Sequence, residues 1–572
     1  MNGMKRYNQP VDIIIQQTTA KPGAKGIAYA GAAKTIEKQL EAAGIPVHSV
    51  RRAAVISSAS SKSKQKTAIP ENAYTKTKIN DTEVNPWDVA HIARTALNNP
   101  HTFVEPDFLQ EFTINRKVNP EAGKTDAKSF GNRNNDINYD KDWPPHQNTV
   151  WHLDDAYSQL KSARELVQDN DALIRIAHLD TGYSATHFIV PGSVKKNKLQ
   201  RNFVDGEPVN DAHDPLKDGF LKMPGHGTGT LGILAGNKIN LHTDNGQFND
   251  YLGGAWFAEV ICCRIASSVV LLKTSALAEA LNYVTQLTIS GTPVHVLSLS
   301  MGGAPSAAWA KAVNAAYNAG ITIIAAAGNN FNGLPTRHVI YPARFGRVVA
   351  ACGATCNMEP YFTLKPGEMQ GCFGPKRHMK KALAAFTPNI PWASTAGNNI
   401  RFDGAGTSCA TPQIAAAAAI YYKKYFDQLN KLQPWQRVEA VRHALYTSAK
   451  KTVKHAPLSY QQYFGNGILQ ANDALEIPVT TGITKTPEDH APWFPILSTI
   501  FKNKNPQSLP VLQMYNTELA QLVYSYPELS KLIDDENRSY DKIGVRKWKQ
   551  FKEAVVAHPD TSVTLKKFLV KM

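Results

Sequence analysis

The chain predicts an α/β fold: a doubly wound, mainly parallel sheet, with a small α/β domain before it and a helical module after it. Two observations carry this. Between 151 and 478, short and nearly continuous apolar runs at 173–179, 259–265, 294–300, 322–327 and 348–352 alternate with helical stretches such as 276–290 and 306–319. Strands of that kind belong to a parallel sheet covered on both faces. On either side the pattern changes. Residues 10–113 hold shorter elements, and 479–572 read as amphipathic helices.

In the first unit, Val11 to Ile15 reads as a strand and Ala32 to Ala43 as a helix with Ile36 and Leu40 on one face, ended by Gly44. Residues 46–56 read as a second extended segment, followed by a Ser/Lys-rich loop at 57–66. Asn85-Pro86 opens a helix, and 102–108 closes the unit as a strand. Residues 114–150 are polar, aperiodic and rich in Asn, Lys and Asp, which makes them an exposed linker suited to cleavage. In the last unit Pro492, Pro495, Pro506 and Pro510 mark the entry. Leu519, Leu522 and Val523 give one apolar face, and Val545, Trp548 and Phe551 another. No chemistry is visible there, so the expected role is docking or packing.

With 572 residues, 43% hydrophobic and 19% charged, the chain is globular and long enough for several domains. Its net charge of +16 is spread without a long Lys/Arg block, which points to a basic surface rather than to a nucleic-acid partner. No run of about 18 apolar residues occurs, so no membrane span is expected. Val11 to Ile15 is too short and too acidic for a signal-peptide core, and six cysteines in this length make no disulfide scaffold. A cytoplasmic location is the expectation. Cys352, Cys356 and Cys372 are candidate zinc ligands, but their spacing holds no matched pair, and buried thiols are the simpler reading.

Four segments carry chemistry. The run ending Leu179-Asp180-Thr-Gly182 puts an aspartate at the carboxyl end of a strand, where open α/β sheets place functional residues. Alone, Asp180 would read as a turn cap. Gly225-His226-Gly227-Thr228-Gly229 sets a histidine among glycines at a helix start. Its G-x-G-x-x-G spacing at Gly227, Gly229 and Gly232 follows no strand, so a dinucleotide site is not supported. Ala326-Ala-Gly328-Asn329 ends a strand with an amide, either a turn former or a donor to an oxyanion. Gly406-Thr-Ser408-Cys-Ala-Thr-Pro412 puts a hydroxyl at the start of an Ala-rich helix, where negative charge is favoured.

Their order, Asp180, His226, Asn329, Ser408, together with Ser300-Met-Gly-Gly303 and Phe464-Gly-Asn-Gly-Ile468, resembles the subtilisin-like serine peptidases (subtilases) over 151–478. The resemblance implies that Ser408 is the nucleophile, His226 the general base and then acid, Asp180 the residue that orients it, and Asn329 an oxyanion donor. Ser300, Met301 and Gly302 would pair with an extended substrate, and Ala326, Gly328 and a specificity pocket would also bind it. Ile340, where relatives have glycine, would shorten that pocket and favour small side chains before the scissile bond. Residues 10–113 look like the family's inhibitory propeptide, with 99–107 as the most suggestive stretch.

Three departures stand out. Cys409 replaces a common Met, Gly229 replaces a second histidine, and 183–189 lacks the acidic residue that in many relatives helps bind calcium. No cofactor or metal is therefore expected. The basic stretch 355–381 either shapes the substrate path or is a surface loop. The expected partners are a protein or peptide substrate, the chain's own N-terminal domain as inhibitor, and a docking partner for the C-terminal module. The alternative reading is a subtilase-scaffold binding protein, catalytically silent or locked.

Overall fold

The computed structural model describes residues 11–17, 29–42, 44, 47–52, 74–79, 85–98, 102–111, 149–217, 223–243, 246–331, 336–362, 369–451, 459–490, 509–533 and 544–571. The expected linker up to residue 148, the loop at 57–66, residues 99–101, and Pro492, Pro495 and Pro506 lie outside them.

The N-terminal unit runs β1 (Val11–Gln17), α1 (Tyr29–Ala42), β2 (Val47–Arg52), β3 (Tyr74–Ile79), α2 (Pro86–Ala96), β4 (Thr102–Pro106) and β5 (Leu109–Glu111). The first four strands form an antiparallel sheet in the order β2-β3-β1-β4. β3 was not expected. Its Thr/Lys alternation has a strand period but too little apolar content to mark one face as core. Ile13, Ile15, Leu40, Trp87, Val89 and Phe103 make this unit's core.

The central domain contains β6 (Arg175–Asp180), β7 (Arg201–Asn202), α3 (His226–Ala235), β8 (Lys238–Thr243), β9 (Gly246–Tyr251), β10 (Glu259–Arg264), β11 (Leu271–Lys273), α4 (Thr274–Ile289), β12 (Val296–Leu299), α5 (Ala307–Asn318), β13 (Thr322–Ala326), β14 (Asn329–Phe331), β15 (Val348–Ala354), β16 (Met369–Gly371), β17 (Ala382–Phe386), β18 (Ile390–Ser394), β19 (Asn399–Gly404), α6 (Thr407–Lys424) and α7 (Pro434–Ser448). Seven strands form one parallel sheet in the order β17-β15-β13-β12-β6-β10-β7.

Alternate strand residues feed two cores. Leu179, Ile261, Leu297 and Ile323 pack on the side of α4 and α5. Ile176, Cys262, Val296 and Ile324 pack on the side of α3, α6 and α7. Ala415 to Ala419 are buried, so α6 crosses that face closely. The chain reverses direction across the sheet between β6 and β12, so the clefts at these strand ends form its natural ligand site. The six cysteines are buried and form no disulfide.

The C-terminal module comprises α8 (Leu509–Ser525), α9 (Pro527–Ile533), α10 (Val545–Ala557) and α11 (Val563–Val570). Leu519, Leu522, Val523 and Phe551 are buried together, whereas Val545 is 86% exposed at the start of its helix and does not join that face. The segment before the module is strapped to the central domain: Asp489 accepts from the Gly346 and Arg347 N–H groups at 2.6 and 2.9 Å. No described helix is long and apolar enough to cross a membrane.

Candidate active site

β6 delivers Asp180 to the carboxyl end of the sheet, fully buried. The following turn needs Gly182: its φ is +101°, and a Cβ there would sit 2.6 Å from the Ala212 carbonyl. Asp180 Oδ1 accepts from the Thr181 N–H at 2.7 Å and lies 2.8 Å from His226 Nδ1. The Thr230 hydroxyl donates to Oδ2 at 3.0 Å. Burial alone would raise this carboxyl's pKa. The facing His226 ring, with help from His178 and the Thr181 N–H, outweighs burial and holds it below the usual carboxylate value.

His226 is the first residue of α3, preceded by Gly225 at φ +80°. The glycines around it serve close approach rather than phosphate binding. A Cβ on Gly227 would sit 2.0 Å from the Gly182 carbonyl, and one on Gly229 would sit 2.0 Å from the Trp392 indole. Trp392 meets the His226 ring edge-on at 5.4 Å between centroids, so the missing second histidine leaves room for an aromatic wall. Asp214, which the motifs did not single out, ties the two turns together. Its Oδ2 accepts from the Gly225 N–H at 2.9 Å and the Thr181 hydroxyl at 3.1 Å, while Thr181 accepts from the Gly227 N–H at 3.0 Å.

Ser408 is the second residue of α6, after Gly406 at φ +94°. Its hydroxyl donates to the Ser300 carbonyl at 3.4 Å, and the Ser300 hydroxyl donates to the Ser408 carbonyl at 3.3 Å. Ser408 thus lies against the end of β12, beside β6, and makes no hydrogen bond to His226 in this conformation. Asn329 Oδ1 accepts from the Thr407 N–H at 2.9 Å, which commits the oxygen and leaves the amide N–H groups at the turn before Ser408.

Ser300, Met301 and Ala326 are buried at the ends of β12 and β13. Ile340 lies between the two edges. Cβ atoms built on Gly302 and Gly328 would fall 2.8 and 2.9 Å from its side chain. Its branched chain occupies the trough that these glycines border.

A second edge was missed from sequence. Leu271 to Lys273 is too short to show a period, and β5 of the N-terminal unit pairs with it antiparallel, Leu271 opposite Glu111 and Lys273 opposite Leu109. Around this strip the N-terminal unit docks through helix caps. Asp107 accepts from the Ser275 N–H at 2.7 Å in the first turn of α4. Glu105 accepts at the start of α5 from Ala308 N–H, Ser306 hydroxyl and Ala307 N–H at 2.8, 3.1 and 3.2 Å. Burial pushes the Glu105 carboxyl up to about 7 despite these donors. Lys273 pairs with Asp12, with Asp107 at 3.5 Å and with Asp205 at 2.7 Å. Among the described residues, no group of three or more His, Cys, Asp or Glu could hold a metal ion.

Residues 172–467 match the profile of the subtilase family. The chain is similar to Subtilisin DY of Bacillus licheniformis, 26% identical over 309 residues that cover 53% of this chain and 92% of the relative. It is also similar to Subtilisin Savinase of Lederbergia lenta, 27% identical over 306 residues (53% and 90%). With Alkaline elastase YaB of a Bacillus species it is 25% identical over 379 residues, 65% of this chain and 82% of the relative.

Proposed function

This chain belongs to the subtilase family and is a serine peptidase acting on proteins or peptides, and we propose that it is an endopeptidase held inactive by its own N-terminal unit. The observation that carries the chemistry is the 2.8 Å contact between His226 Nδ1 and Asp180 Oδ1, at the strand ends where Ser408 lies. An ionised Asp180 accepts only, so His226 carries its proton on Nδ1 and a lone pair on Nε2.

On this reading, Ser408 turns from the Ser300 carbonyl to Nε2 and gives up its proton as Oγ attacks the scissile carbonyl. The oxyanion accepts from the Asn329 amide and the Ser408 N–H, a kind of contact typically worth about 10² to 10³ in rate. The intermediate collapses to an acyl-enzyme as His226 passes the proton to the leaving amine. Water, deprotonated by the same nitrogen, then releases the acyl group. Ser300 to Gly302 and Leu271 to Lys273 hold the substrate between two extended edges. Ile340 restricts the residue before the cleaved bond to a small side chain.

Inhibition is supported by β5, which already occupies the Leu271 edge, and by the caps from Glu105 and Asp107. The partner of the C-terminal module is then the N-terminal unit itself. Asp88 of α2 accepts from the Val563 and Thr564 N–H groups at 2.8 and 2.9 Å. Trp87 donates to Gln521 at 2.9 Å, and Gln521 donates to the Pro305 carbonyl at 2.9 Å, which bridges all three parts of the chain.

A small fluorophosphonate probe tests the chemistry. It should label Ser408 of the wild type, faster after limited trypsinolysis of the N-terminal unit, and His226→Ala should abolish labelling. No labelling of the wild type under either condition would remove the peptidase mechanism and leave a silent scaffold.

A further inference from the structure

A second histidine stands behind the pair just described. His178 precedes Asp180 by two residues on β6, is 1% exposed, and shares its side of the sheet with Ile176, Val260 and Val296. Its Nε2 lies 2.8 Å from Thr230 Oγ1, and the Thr230 hydroxyl donates to Asp180 Oδ2 at 3.0 Å. The protons can be assigned by counting. Thr230 has one, and it goes to the carboxylate. The His178 contact therefore requires an N–H on Nε2 that donates to Thr230 Oγ1. Nδ1 is then a bare lone pair, which fits its burial with no hydrogen-bond partner.

We propose that His178 and Thr230 are positioning residues that form a buried relay, N–H to O–H to carboxylate, which pins the far oxygen of Asp180 and leaves the near oxygen for His226. The proposal rests on the triad reading above and deepens it. Without His178, the Thr230 hydroxyl has two other acceptors within its own helix, the Gly227 carbonyl at 3.3 Å and the His226 carbonyl at 3.4 Å. Helical threonines readily bond backward in this way. An N–H arriving from β6 occupies one side of the oxygen and turns its proton toward Asp180.

The surroundings keep the relay neutral. Burial lowers the His178 pKa, Asp180 opposes this, and His226 adds to it. In register with His178, β10 presents Cys262, a thiol that burial pushes up, and β12 presents Ser298. Arg264, in register with Asp180, directs its guanidinium to Glu207 and to the Thr181 and Ala266 carbonyls. From α3 the facing groups are Thr230 and His226. The charge facing His178 is thus that of Asp180. An apolar side chain at 178 would cost less to bury than an imidazole with an unpaired nitrogen, so packing alone does not account for it.

Two substitutions break the relay at different links, Thr230→Val and His178→Leu. Losing a donor leaves the Asp180 charge less neutralised, so it holds the His226 proton more firmly. The acid limb of the kcat/KM profile should move up by about half a pH unit or more, with kcat reduced about tenfold. Thr230→Ser and His178→Gln keep the donors and should keep the wild-type limb. An unchanged limb in both Thr230→Val and His178→Leu would overturn the relay, as would a His178→Gln profile displaced as far as that of His178→Leu. A wild type without turnover would instead defeat the peptidase mechanism. In that case imidazole NMR of the full-length chain reads the same His226 titration and still decides the relay.

Discussion

Glu105 caps Ala308 across the boundary between two folding units: its carboxylate accepts the Ala308 N–H at 2.8 Å while fully buried. This joins docking of the N-terminal unit to pH. Burial takes the Glu105 carboxyl to about 7, and the half-buried Glu279 is also raised to about 7 by desolvation, which Lys76 opposes and Asp107 reinforces. Both values lie above those of an exposed glutamate, so the docked state takes up protons. Docking is strongest near the exposed value and weakens as pH rises through about 7. Asp205, lowered to about 2, acts in the opposite sense but only at lower pH. Exchange of the Ala307 and Ala308 amides in Ser408→Ala, corrected for intrinsic rates, should show at least about tenfold more opening at pH 8 than at pH 5. Glu105→Gln should weaken that dependence to the share left by Glu279, and a flat profile in the parent would contradict it.

Ile340 sets the size of the proposed pocket. Ile340→Gly should raise kcat/KM for substrates with Phe or Leu before the scissile bond by about tenfold or more, and change Ala substrates little. A peptide library read by mass spectrometry measures this. Efficient cleavage after Phe or Tyr by the wild type would contradict the pocket assignment.

Asp88 ties the N-terminal unit to the C-terminal module through three donors from Val563 and Thr564. Asp88→Ala leaves Ser562 capping Leu565 but takes the acceptor from the Val563 and Thr564 N–H groups at the start of α11, and should cost about 1–2 kcal/mol of that contact. The expected result is faster fluorophosphonate labelling of Ser408 in the full-length chain, with unchanged reactivity once the N-terminal unit has been removed. Equal labelling rates before removal would show that the C-terminal module does not hold the N-terminal unit in place.

The sheet was legible because apolar runs such as Val296–Leu299 and Val348–Ala354 are each a single continuous signal. Motif order likewise singled out Asp180 and His226, which the structure brings to 2.8 Å. Other features depend on partners far away in sequence. Leu271–Lys273 becomes an edge strand by pairing with Leu109–Glu111, and nothing in three residues announces that. Asp214 reads as an ordinary loop aspartate until the turns at Thr181 and Gly225 converge on it. Gly229 looked like a lost histidine, but Trp392, far along the chain, occupies the space it leaves. His178 was hidden inside an apolar run, where one polar residue does not change the strand assignment.

Intact mass of the purified chain over hours, wild type beside Ser408→Ala, tests the central claim most directly. A self-inhibited peptidase predicts that only the wild type shortens, with the cut between Phe112 and Trp151. If both chains stay at full length, or both shorten alike, Ser408 does not release the N-terminal unit and the self-processing account fails.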